Sequence, residues 1–207
     1  MTAQRGLPPP LTVRDDRNRS PHTTDSPLQS PPLGPLLKRW RLLRRVKQSH
    51  AAELFGVAQS TISRWEAGVQ QMSPDERAIA ERLLAARLDS AGDRALARLV
   101  GDHPGRVHLV CDLTHRLLAC SSLRAAEFAK PLPTMLGASL WRYATPEIAA
   151  LEASLDALGW RDSAGPPSVE FDSGANASRI VPIRRSTCRW TRMILSDGSA
   201  ARLVETL

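Results

Sequence analysis

The chain has 207 residues, 42% of them hydrophobic, and carries a net charge of +7 with only three lysines among its 28 basic residues. That length holds one large domain or two small ones with a packed core. No apolar run of about 18 residues occurs, and the N-terminus is charged and proline-rich without an apolar stretch. Neither a membrane span nor a signal peptide is therefore expected, and a cytoplasmic location is. Cys111, Cys120 and Cys188 are widely spaced, odd in number and lack a CxxC pair. They read as small buried or half-buried hydrophobes in a reducing compartment.

Residues 1–34 are predicted to be a disordered tail. Pro8, Pro9, Pro10, Pro21, Pro27, Pro31 and Pro32 interrupt any period, and the polar residues between them show none. An alternative role is an arm whose Arg14, Arg17 and Arg19 touch DNA phosphates or a minor groove. The spacing of Leu36, Leu37, Trp40 and Leu43 then predicts a helix over 35–46, with Pro35 at its first turn. Lys38, Arg39, Arg41, Arg44 and Arg45 cover its other sides. Residues 35–72 hold seven basic side chains against Glu53 and Glu66, so most of the net charge lies there.

A helix is expected over 48–55, with Ala51, Ala52 and Phe55 inward. Gly56 follows, where a left-handed turn costs little. A further helix over 59–67 buries Ile62 and Trp65 and turns Gln59, Ser60, Thr61, Ser63 and Arg64 outward. Gly68 ends it. Two helices joined by a tight glycine turn make a helix-turn-helix, whose second helix is able to lie in the DNA major groove. Ala58 stands at the N-cap position of this helix, where a capping serine or threonine is expected. Ser73, Pro74 and Glu76 form a capping box that opens a helix with Ile79, Ala80, Leu83 and Leu84 inside. One more short helix is predicted over 90–100, then a break over 101–105.

After that the pattern changes. Residues 107–111 and 116–120 read as a strand hairpin. A helix is expected over 122–129, and a loop around Pro131 and Pro133. Thr145 opens an amphipathic helix with Ile148, Leu151, Leu155 and Leu158 inside. A loop over 163–167 precedes strand candidates at 168–172, 179–184 and 188–195. Asp197 and Gly198 signal a hairpin turn into a last strand, 200–205. The fold class is thus an all-α helix-turn-helix domain followed by an α+β domain. The divisions fall at 1–34, 35–88, a connecting helix and linker over 89–105, and 106–207.

Residues 48–68 resemble the DNA-binding domain of phage Cro/repressor-type regulators, the xenobiotic-response-element-type helix-turn-helix. The matching residues are Gln48, Ala52, Gly56, Val57, Gln59, Ser60, Ile62, Ser63, Trp65, Glu66 and Gly68. With flanking helices the resemblance covers about 35–88. It implies that Gln59, Ser60, Thr61, Ser63 and Arg64 face base edges, and their chemistry suits that: Gln pairs with adenine, Arg with guanine. It also implies that Gln48, Arg44, Arg45 and Lys47 hold phosphates, which fix register without reading sequence. Glu66 is expected to be structural, paired with a nearby arginine.

The back half resembles a PAS sensor domain. VHLVCDLTHRLLACS is similar to its first hairpin, and LGASLWRYATPEI, with Gly137, Ser139 and Pro146, to its helical connector. Three C-terminal strands would complete the sheet. No cofactor is expected, since the helix over 146–158 has neither a histidine for haem nor a cysteine for flavin. His103, His108 and His115 read as surface or turn histidines rather than a metal site. A small molecule would be held non-covalently in the domain core, or the domain serves for dimerisation alone.

The expected function is a sequence-specific transcriptional regulator, with double-stranded DNA as partner, acting as a homodimer away from membranes. An adaptor or antitoxin-like protein using the same helices is the alternative. A self-cleaving repressor needs a serine well upstream of a lysine base. Lys130, the one lysine of the back half, stands too early for that order, and no other enzymatic pattern is present.

Overall fold

A computed structural model describes residues 32–162 and 165–207. The expectations for residues 1–31, including Arg14, Arg17 and Arg19, and for Ser163 and Ala164 in the 163–167 loop lie outside the described residues. Helix α1 (Leu33–Leu43) starts two residues before the predicted Pro35. Gly34 permits this, because a Cβ there would sit 1.9 Å from the Trp65 carbonyl oxygen. Burial fades along α1: Leu36 and Leu37 are buried, Trp40 is half-buried, and Leu43, expected inside, is 39% exposed. The chain then turns through Arg45 in the left-handed region (φ 53°), and the Val46 amide donates to the Arg41 carbonyl.

Helix α2 (Gln48–Phe55) ends at Gly56 with φ 65°, and α3 (Gln59–Glu66) follows after Val57 and Ala58. Lys47 and Ala58 make no side-chain cap, as their chemistry dictates. Leu37, Ala51, Ala52, Phe55, Ile62, Trp65 and Ala80 form one core, with Phe55 edge-on to Trp65 at 5.3 Å. Helix α4 (Pro74–Leu84) carries the Ser73 and Glu76 capping box. Helix α5 (Ala91–Gly101) carries a second one from Ser90 and Asp93, which the sequence reading did not name.

Strands β1 (Val107–Cys111), β2 (Leu117–Cys120), β3 (Val169–Asp172), β4 (Thr187–Ile194) and β5 (Ala200–Thr206) form one antiparallel sheet in the order β2-β1-β5-β4-β3. The expected two strands, helical connector and three C-terminal strands are therefore present. Side chains alternate between two faces. Leu109, Cys111, Ala201 and Leu203 look toward α5 and toward Leu36 of α1 and Leu84 of α4, so sheet and helices share an apolar layer. His108, Val110, Trp190, Arg202 and Val204 look the other way, toward α8 (Pro146–Ser154) and the loops before β3 and β4. All three cysteines are buried and unpaired in disulfides.

Four local expectations are corrected. The helix predicted over 122–129 is a single turn, α6 (Ser122–Ala125). The loop around Pro131 and Pro133 holds another turn, α7 (Leu132–Met135), because Pro131 sits at its N-cap and Pro133 in its first turn, where no N–H is needed. Helix α8 stops at Ser154, which leaves Leu158 56% exposed. Residues 179–184 are no strand. Pro182 lacks an N–H, and Asn176 orders the segment as a loop: its side chain donates to the Tyr143 and Val181 carbonyls and accepts from the Ile183 amide at 2.9 Å.

The tight approach at Gly34 gives a stability test. Gly34→Ala forces a methyl group into the Trp65 carbonyl, and overpacking of this kind costs about 1–3 kcal/mol or more. Gly101→Ala meets nothing within 4 Å. Thermal melts should show a clear loss for the first and an unchanged or slightly raised midpoint for the second.

Candidate nucleic-acid interface and C-terminal cavity

Helix α3 is two-sided because its apolar residues are three apart. Ile62 and Trp65 are 0% and 1% exposed, whereas Gln59, Ser60, Ser63 and Arg64 are exposed side by side. Thr61 departs from the expectation: it lies one turn before Trp65, on the flank of the buried face, and is half-buried. Arg64 folds back along its own helix, with Nε donating to the Ser60 carbonyl at 3.2 Å. The Gln59 amide reaches Gln48 at 3.4 Å.

The end of α3 is held by a buried ion pair. Arg41 Nε and Nη2 donate to the two Glu66 carboxylate oxygens at 2.8 and 2.9 Å, and Gln48 Nε2 adds a third bond at 2.9 Å. Arg41 Nη1 also donates to the Val46 carbonyl at 3.1 Å. Burial pushes the Glu66 carboxyl up, but the bonds from Arg41 and Gln48 and the charges of Arg41 and Lys38 outweigh it and hold it below the usual range. One cluster thus joins α1, the start of α2 and the end of α3, and Glu66 has the arginine partner expected of it.

The basic segment is less free than its charge count suggests. Arg41 is spent on Glu66. Arg39 donates to Asp156 at 3.0 Å. Arg44 donates to the Asp197 carbonyl at 2.6 Å, with its other terminal nitrogen 3.8 Å from the Asp197 carboxylate. The structure therefore places Arg44 on the β4–β5 turn and Gln48 on Glu66, rather than toward open solvent. Arg45 and Lys47 are exposed and have no side-chain partner among the described residues.

The C-terminal sheet has its own buried charges, which the sequence does not announce; one of them, Asp112, directly follows β1. Asp112 is 2% exposed and accepts from Arg202 at 2.6 and 2.8 Å and from Trp160 Nε1 at 3.0 Å. Arg202 also donates to Glu152 at 2.7 Å and lies over the Trp190 ring at 4.2 Å. Arg161 donates to the other Glu152 oxygen at 2.9 Å. Burial raises the Glu152 carboxyl, but His115 and Arg202 outweigh it and bring it to about 2.

Of the three histidines expected at the surface or in turns, His108 departs from that expectation, and His115 is a turn residue but a buried one. His115 does sit in the β1–β2 turn, with φ 55°, yet it is 7% exposed, stacked on Trp141 at 4.6 Å and 3.4 Å from Glu152. His108 faces a cavity of about 350 Å³ on the inner side of the sheet, and burial, with the charge of Arg124, holds its imidazole down at about 3. Of these three histidines, His103 is the exposed one. Among the described residues no cluster of His, Cys, Asp and Glu is arranged to hold a metal ion, and no helix is long and apolar enough to cross a membrane.

The clamp on α3 predicts a response to mutation and to pH. Arg41→Ala leaves the Glu66 carboxylate with Gln48 as its one remaining hydrogen-bond donor and should cost about 1–3 kcal/mol, more than the neutral Glu66→Gln. A lowered folded-state pKa stabilises above the unfolded carboxylate range, and that contribution is lost as pH falls from that range through the lower folded-state pKa. Denaturant titrations between neutral and acid pH should therefore show a flatter acid dependence in Glu66→Gln than in the parent.

A family model described as "Helix-turn-helix" matches residues 37–80. Among curated proteins nothing matches. Among solved structures, the crystal structure of a sensory box sensor histidine kinase from Vibrio cholerae is similar at 12% identity and a TM-score of 0.35, covering 56% of this chain and 91% of that one. The helix-turn-helix match supports a DNA-binding, transcription-regulating kind of function for residues 37–80.

Proposed function

We propose that the protein is a sequence-specific transcriptional regulator that reads the major groove with α3 as a homodimer. The observation that carries this reading is the division of α3: its apolar edge is locked into the core while Gln59, Ser60, Ser63 and Arg64 share an unobstructed outer face. These are side chains suited to base edges, Gln59 to adenine and Arg64 to guanine. Thr61, on the flank, takes a phosphate or a thymine methyl. Arg64 and Gln59 are held only by exposed bonds of 3.2 to 3.4 Å within the helix pair, which DNA contacts readily replace.

Phosphate contacts fall first to Arg45 and Lys47, whose charges are unshared. Arg44 and Gln48 take that role by exchanging Asp197 and Glu66 for a phosphate oxygen. One α3 reads only a few base pairs, so two copies on half-sites about one helical turn apart supply the needed specificity. The C-terminal domain supplies the dimer contact and holds a small molecule non-covalently in the cavity beside His108.

Gel-shift titrations over a salt series test the assignment. Arg64→Ala and Gln59→Ala should each remove about 1–3 kcal/mol of discrimination between specific and random DNA. Arg45→Ala and Lys47→Ala should weaken binding to all sequences and lower the salt slope by about one each. Equal losses on specific and random DNA for all four variants would sink the reading.

A further inference from the structure

The cavity beside His108 has a floor and a rim of different character. Val110, Leu140, Ile148, Val181, Trp190 and Val204 give it apolar walls. Its rim carries three guanidiniums against one carboxylate side chain: Arg106, Arg124 and Arg184 around Glu127. Glu127 is already shared, accepting from Arg106 Nε at 2.8 Å and from Arg124 Nη1 at 2.5 Å. The same Arg124 nitrogen donates to the Pro182 carbonyl at 3.0 Å, which brings this group beside the segment that carries Arg184. Arg184 is exposed and has no side-chain partner among the described residues.

His108 adds a polar atom inside the walls. Its side chain has no hydrogen bond among the described residues; the residue is half-buried on the sheet's inner face, with Nδ1 shielded from solvent. Being neutral, it offers a hydrogen bond and no charge. Arg202 is satisfied by Asp112 and Glu152, and Ser173 by backbone carbonyls, whereas Arg124 Nε and the ring nitrogens of His115, which also line the cavity, have no hydrogen bond among the described residues.

These features select by chemistry. A cation meets three guanidiniums and no unshared carboxylate side chain. A sugar-like molecule meets walls that leave most hydroxyls unpaired, which is costly. An apolar body fits the walls, and an anionic head fits the planar donors of the rim, since guanidinium pairs carboxylate through two parallel bonds. A volume of about 350 Å³ is at the small end for a ligand site.

We infer that the cavity binds a small organic acid, its apolar body against Trp190 and Val204 and its carboxylate at Arg184 and Arg124. This rests on the proposed reading of the domain as a non-covalent small-molecule site. His108 hydrogen-bonds a polar atom along the body, and the acid's charge neutralises a rim that is otherwise net positive.

The test uses the full-length protein, with calorimetry and the fluorescence of Trp190 and Trp141 as readouts. Octanoate and phenylacetate are compared with octanamide, phenylacetamide and octylamine. The acids should bind at least tenfold more tightly than the matched amides at low salt, with the gap narrowing as salt rises. Arg184→Glu, at an exposed position, should abolish the preference for acids while leaving amide binding in place. Ala144→Trp, which fills the cavity, should abolish both, with a thermal melt showing that the variant is folded. Amides binding as well as acids, octylamine binding best, or an unchanged preference in Arg184→Glu would overturn the organic-acid assignment while the small-molecule reading survives. Binding of no probe to protein that still shifts DNA would overturn both and leave the DNA-reading proposal standing.

Discussion

The buried pair of Arg41 and Glu66 is the interaction on which the DNA-facing side of the protein depends. Helix α3 spans only Gln59–Glu66 and has no side-chain N-cap, so it is too short to be stable by itself. Its position is set at both ends from outside. Ile62 and Trp65 anchor it from below, and Glu66 ties its last residue to α1 through two parallel bonds and to α2 through Gln48. A buried pair of this kind adds modest net stability, because desolvation offsets much of the attraction, but it fixes geometry. Geometry is what an outward row of base-reading side chains requires. Gly34 serves the same end sterically, by letting α1 lie against the carbonyl of Trp65.

The same helix that receives α3 also faces the sheet. Leu36 on one side of α1 belongs to the layer formed with Leu84, Val100, Leu109 and Ala201, while Leu37 on the other side belongs to the core around Trp65. Arg39 and Arg44 add polar contacts from α1 to Asp156 and Asp197. Within the sheet, Asp112 and Arg202 join β1 to β5, and Glu152 extends their network through α8 to a 4.0 Å approach with Arg39. Arg202 also lines the cavity. The inner cavity and the helices of the helix-turn-helix are thus connected by contiguous charged contacts as well as by packing.

Much of this was legible in the sequence, and the pattern of what was not is physical. Elements with a strong local signal came through: the glycine turn at Gly56, the capping box at Ser73, the 3.6-residue period of Ile62 and Trp65, and the turn at Gly198. The strand at 179–184 did not, because its apolar residues Ile180, Val181 and Ile183 imitate a strand while Pro182 and the bonds to Asn176 make it a loop. The start of α1 was misplaced because Gly34 reads as a breaker until its close neighbour in space is known. The roles of Asp112, Glu152, His108 and Arg44 depend on partners 50 to 153 residues away or on a cavity wall, and no local pattern encodes them. The charge tally located the basic segment but not how many of its arginines are occupied within the fold.

The central claim is that the outer face of α3 reads DNA sequence in a paired molecule. Selection of bound DNA from a random pool by the full-length protein tests it most directly. The account predicts one enriched consensus made of two inverted half-sites about one helical turn apart. Recovery of unenriched DNA, or of none at all, by folded protein would contradict it.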